Sequence, residues 1–109
     1  IESSLFVIKR AGFKESLSGY PNPFVPSRGP VSIDFYLAAP APVTVKLYTV
    51  SGVHVTTLVD HQLFAAGLQT ITWSAVNGQG YRVRNGVYLC RVRNESTGEE
   101  GTIKIAVVR

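Results

Sequence analysis

The sequence has little of what would hold a chain together by covalent, metal or lipid means. Its single cysteine, Cys90, can form no internal disulfide and no multi-cysteine metal site, so stability must come from packing. No apolar run approaches the roughly 18 residues that cross a bilayer, which excludes a helical membrane span. There is no methionine and no basic stretch ahead of a short apolar segment, and a chain that opens at Ile1 reads as a processed or excised piece. Charged residues are only 17% of the 109, against 45% hydrophobic, which fits one folded domain and not a disordered chain. The 11 Lys and Arg exceed the 7 Asp and Glu but never form a run. They read as a solvated surface and argue against nucleic acid as a partner.

Helical periodicity is also nearly missing, and period two runs through most of the chain instead. In "VSIDFYL" Val31, Ile33, Phe35 and Leu37 fall on one face. "VTVKLYTV" repeats the pattern with Val43, Val45 and Leu47 inward and Tyr48 outward, so the two segments read as neighbouring strands. Ser51-Gly52 then turns the chain into "VHVTTLV", a hairpin over residues 43–59. Ala66-Gly67 breaks the chain before "LQTITW", where Ile71 and Trp73 share a face. A loop with Gly78, Gly80 and Gly86 at positions suited to left-handed backbone leads to "VYLCRVR", with Tyr88, Cys90 and Val92 inward and Arg91 and Arg93 outward. "TIKIAVV" closes the chain with Ile103, Ile105 and Val107 inward. Counting the apolar stretch "SLFVIKR" near the N-terminus gives seven short strands without a helical crossover, the pattern of an all-β, antiparallel two-sheet sandwich.

Three prolines in "GYPNPFVPS" exclude helix and central strand. Pro21 and Pro23 lack N–H donors and push Tyr20 and Asn22 toward extended backbone, so this stretch belongs along an edge or end of the sandwich. Phe24 is apolar enough to plug the bottom of the core. The expected core is thus Phe24, Val45, Leu47, Ile71, Trp73, Tyr88, Cys90, Val92 and Ile105. The expected division is a strand-like extension or linker over 1–19 and the sandwich over 20–109.

Asn-Pro-Phe at 22–24, Leu-Tyr-x-x-x-Gly at 47–52, Leu58-Val59-Asp60, Ala66-Gly67, Trp73 and Gly86-Val87-Tyr88 together resemble a bacterial immunoglobulin-like module. This is the module related to the Ig domain of the flagellar hook-capping protein and to type IX secretion C-terminal sorting domains, and the likeness covers residues 20–109. Ser74 and Ala75 stand where members often carry acidic residues, and Val53 where an arginine often follows the turn glycine. The resemblance implies a non-catalytic, secreted or cell-surface module whose partner is secretion machinery or a surface component.

Other chemistry is thin. His54, His61, Asp60 and nearby serines could formally make a Ser-His-Asp set, but no elbow or oxyanion loop accompanies them, and both histidines read as exposed, on a strand and in a turn. Two histidines with one carboxylate fall short of a zinc site, the loop after Trp73 lacks the carboxylates of a calcium loop, and no cofactor is expected. Cys90 reads as a small buried hydrophobe. Asn94-Glu95-Ser96 matches a glycosylation sequon, a triplet frequent by chance. Tyr36 and Tyr48, on supposedly adjacent strands, suggest a stacking platform for polysaccharide, or simply a cross-strand pair. Arg91, Arg93, Lys104 and Arg109 could meet an acidic receptor groove or anionic polysaccharide. Leu5 and Val7 could belong to a strand, within residues 1–17, donated to another copy in a filament.

Overall fold

A computed structural model describes residues 12–109. A single helical turn, α1 (Phe13–Ser16), is followed by β1 (Ser18–Tyr20), a 3-10 turn (Pro26–Arg28), β2 (Val31–Leu37), β3 (Ala41–Thr49), β4 (His54–Phe64), β5 (Gly67–Trp73), β6 (Gly86–Asn94) and β7 (Glu100–Val107). The strands form two antiparallel sheets, β1-β2-β5 and β4-β3-β6-β7, packed face to face. The first strand is Ser18–Tyr20; the "SLFVIKR" segment, with Leu5 and Val7, lies outside the described residues.

The alternating segments bury one face each. Val31, Ile33, Phe35 and Leu37 of β2 oppose Val43, Val45 and Leu47 of β3, Cys90 and Val92 of β6, and Ile105 and Val107 of β7, all at most 1% exposed. Ile71 is partly buried against this core. An aromatic cluster caps each end. Phe35 sits 6.4 Å from Phe13 and 5.2 Å from Phe64 at one end, and Trp73 sits 6.0 Å from Phe24 and 5.6 Å from Tyr88 at the other.

The expectation that "VSIDFYL" and "VTVKLYTV" are neighbours is corrected: β2 pairs with β1 and β5, whereas β3 pairs with β4 and β6. An apolar face looks the same in sequence whether its strand hydrogen-bonds to the next one or stacks across the core from it. Residues 12–19 are built into the sandwich: Phe13 is buried, β1 pairs with β2, and a side chain at Gly101 of β7 would overlap Leu17. Of the three loop glycines, Gly80 (φ 85°) and Gly86 (φ 149°) take positive φ and Gly78 does not.

The proline stretch closes the open side of β7. The Asn22 carboxamide donates to Lys104 O (2.7 Å) and accepts from Ala106 N (2.9 Å), satisfying groups that an edge strand leaves unpaired. Phe24 then continues as a short parallel bridge, its N–H donating to Ala106 O and its carbonyl accepting from Val108 N. The chain thereby passes from the edge of one sheet to the edge of the other, and Phe24 enters the core at 1% exposure. In equilibrium urea unfolding, Phe24→Ala and Trp73→Ala should each cost about 3–5 kcal/mol through the cavity left behind. Asn22→Ala should cost about 1–3 kcal/mol for two lost hydrogen bonds. A Phe24→Ala protein of unchanged stability would contradict the plug.

Candidate functional site

A band of polar side chains crosses the outer face of the four-stranded sheet. It exists because β4 does not keep strict alternation. The pairing steps from Val43↔Gln62 to Val45↔Val59, so Thr44 faces two residues, Asp60 and His61, and His61 takes φ 49°. This bulge is tied down by the His61 N–H donating to Thr44 Oγ1 (3.0 Å). Adjacent residues of a regular strand point to opposite faces; the bulge lets Asp60 and His61 stand side by side, Nδ1 to Oδ1 at 2.9 Å. His61 thus belongs to a strand and not to a turn.

From there the band is continuous. His61 Nε2 lies 3.5 Å from Glu95 Oε2, and Glu95 Oε1 accepts from Arg93 Nε at 3.0 Å. Glu100 on β7 receives Arg93 Nη1 (3.3 Å) and Arg91 Nε (3.1 Å). The Arg91 guanidinium covers the Tyr48 ring, 4.9 Å from its centroid, and Tyr48 packs edge-on to His54. With Lys46, all of these groups except His54 line a shallow depression of about 200 Å³. Its charges are largely compensated internally. Asp60, by hydrogen bonding, and Glu95, by its charge, hold the His61 imidazolium above its ordinary 6.5. The Thr44 hydroxyl, then Arg93 and His61, hold Glu95 below its ordinary 4.5. Among the described residues no group of three His, Cys, Asp or Glu is placed to hold a metal ion. What the band offers is hydrogen bonding and paired charge on a flat, ordered surface.

The other sequence-selected residues are dispersed. Tyr36 and Tyr48 lie on outer faces of different sheets, so the stacking platform is overturned. Lys104 shares the outer face with Arg91 and Arg93, two register positions from Arg91. Arg109 does not join them. Its side chain turns to the end of the sandwich, donating to Ala75 O (2.8 Å) and Val83 O (2.9 Å). Asn94 is 6% exposed, and its Oδ1 accepts from Ser96 N and Thr97 N, so the sequon asparagine is consumed in closing the β6–β7 turn. Cys90 is buried between the sheets. Glu95 and Glu100 were not legible as site residues. The signal for Asp60 and His61 was the break in alternation after Val59.

An antiparallel β-sandwich whose β7 edge is closed by an Asn-Pro-Phe segment defines an immunoglobulin-like module. The chain belongs to the FlgD Ig-like domain family, which matches residues 25–98. Among solved structures it is similar to PorZ, described as an essential bacterial surface component of the type-IX secretion system of Porphyromonas gingivalis (25% identity, TM-score 0.61, 87% of this chain and 12% of that one). It also shares its fold with dimeric latent PorU of the same organism (20% identity, TM-score 0.64, 84% and 9%). FlgD from P. aeruginosa has the same fold (20% identity, TM-score 0.55, 69% and 57%). The chain therefore spans about a tenth of the first two proteins and somewhat over half of the third. No curated protein matches it.

Two measurements check this face and the core beneath it. The His61 imidazole, followed by NMR, should titrate above pH 6.5, and Asp60→Asn should move the midpoint down. Because the folded pKa is raised, the stabilisation is fully present below the unfolded value and fades as pH rises through the folded one. A midpoint indifferent to Asp60→Asn would refute the pair. Burial pushes the Cys90 thiol up to about 12, so it should resist Ellman's reagent at neutral pH until the protein unfolds. Fast labelling of the folded chain would show the core to be open there.

Proposed function

We propose that the chain is a non-catalytic extracellular module serving as a sorting or cell-surface attachment domain of an exported bacterial protein. The observation that carries this reading is the 25% identity over 87% of the chain to part of PorZ, itself described as a surface component of type-IX secretion. The polar band supports it as well, since it provides an outer face of paired charges and hydrogen bonds suited to contact with another protein. A receptor meets such a domain already folded, so the recognised features are surface side chains. Lys104, Arg91 and Arg93 share one face and are the first to examine. Arg91 and Arg93 act there as partners of Glu95 and Glu100, so the face would present a pattern of paired charge, which favours specificity over bulk attraction.

A second reading, assembly by strand donation, is favoured by one observation. β5 is the outer strand of its sheet, and no backbone hydrogen bond from a described loop covers its free edge. The segment bearing Leu5 and Val7 would be the donated strand, supplied to another copy.

The two readings separate cleanly. A reporter fused to the full chain in a bacterium with type IX secretion should reach the surface, and Arg91→Gln, Arg93→Gln and Lys104→Gln together should release or retain it while the domain stays folded. Export independent of the chain sinks the sorting reading. Removal of residues 1–11, which precede α1 in the chain, should abolish concentration-dependent oligomers in size-exclusion chromatography only if strands are donated.

A further inference from the structure

The long connection from β5 to β6, residues 74–85, is held at nearly every step. Trp73 Nε1 donates to Val76 O (2.9 Å), the Tyr88 hydroxyl to Arg84 O (2.6 Å), and the Arg109 guanidinium to Ala75 O and Val83 O. Val83 N bonds Ala75 O, Asn77 N bonds Tyr81 O, and Gly78 N reaches across to Val55 O of β4. Within the tip, Asn77 Oδ1 accepts from both Gln79 N and Tyr81 N at 2.9 Å. The fixing has a visible product. Tyr81 is displayed at 70% exposure, with Arg82 and Arg84 exposed beside it.

The charge around this loop is one-sided. Arg28, Arg82, Arg84 and Arg109 gather at this end, and none of them takes part in a salt bridge among the described residues. The six described carboxylates lie elsewhere, Asp34 on β2, Asp60 on β4, and Glu15, Glu95, Glu99 and Glu100 toward the opposite end. A concavity of about 330 Å³, lined by Ser27, Ser74, Arg82 and Arg109, flanks the loop on one side. A shallower one that includes Arg84 flanks it on the other, and neither lining contains an aspartate or glutamate. On the adjacent β3–β4 turn Val50 and Val53 are 67% and 62% exposed.

We propose that this loop is a docking surface for an acidic protein segment carrying apolar side chains. Arginine and tyrosine are the residues enriched at the energetic centres of protein interfaces, and acidic residues and lysine are depleted there. A loop already ordered loses little further conformational entropy on binding. The exposed valines point to a protein over a purely anionic polymer. Arg109 is a positioning residue: it spends its donors on two loop carbonyls, which sets the spacing of Arg82 and Arg84. The proposal rests on reading the module as a contact domain and supplies the chemistry of its partner. It is tested in vitro, so it fails or stands separately from export.

The probe is a synthetic peptide in which glutamates alternate with leucines, titrated into the isotope-labelled full chain. Amide shifts should concentrate at residues 76–84 and 27–28. Arg82→Gln with Arg84→Gln should weaken binding by roughly tenfold or more, a loss typical of interface arginines. Its melting temperature should not change, since neither guanidinium has a partner in the described structure. Arg109→Lys keeps the charge but not the double clamp, and should weaken binding while hydrogen exchange at Val83 accelerates. Shifts spread evenly over Lys14, Lys46 and Lys104 overturn the proposal as general charge attraction. Dextran sulfate binding at the loop where the peptide does not would overturn it in favour of a polysaccharide.

Discussion

The contact between Asn22–Phe24 and β7 is the constraint on which much of the rest depends. A two-sheet sandwich has open edges, and an unprotected edge invites another chain. Here one carboxamide and one short parallel bridge occupy the groups that β7 would otherwise present, from Lys104 to Val108. The same segment delivers Phe24 to the core, where it meets Trp73. Trp73 and Tyr88, fixed by that contact, each use their polar atom to hold a carbonyl of the following loop. The loop at 74–85 is thereby linked, through Trp73 and Tyr88, to the Phe24 plug.

The opposite edge is managed differently. β4 spends 11 residues along the 9 of β3, and the pairing shifts register three times. Bulges twist an edge away from regular pairing and re-aim side chains. The bulge at Thr44 does both, since it interrupts the ladder and brings Asp60 beside His61 on the outer face. The outer strand β5 has no comparable device among the described residues, and this asymmetry between edges makes strand addition a coherent second reading.

Two surfaces emerge with distinct character. The outer face of the four-stranded sheet holds opposite charges in contact, and its ion pairs are exposed enough that their worth lies in geometry more than in stability. The end formed by the β5–β6 loop carries arginines that make no salt bridge among the described residues, displayed by a closely hydrogen-bonded backbone. The first resembles a patterned face, the second a charged anchor.

Much of the fold was legible from the sequence because it is written in short-range terms. Alternation at Val31–Leu37, Val43–Leu47, Tyr88–Val92 and Ile103–Val107 assigned strands and their inward faces, since a pleated strand alternates whatever it pairs with. The prolines at 21 and 23 fixed an edge location, since a residue without an N–H cannot sit in a central ladder. The tertiary structure alone decided which strands share a sheet, because burial by stacking and burial beside a hydrogen-bonded neighbour leave the same pattern. It also decided the site. Asp60 and His61 meet through a bulge that the alternation rule counts as an error, and Glu95 and Glu100 join them only because β6 and β7 run antiparallel with Arg93 opposite Glu100. Arg109, two residues past the inward Val107, ends at the rim of the sandwich, where its guanidinium donates to two loop carbonyls 26 and 34 residues earlier in the chain. Local physics sets periodicity and turns; long-range hydrogen bonding sets which side chains meet.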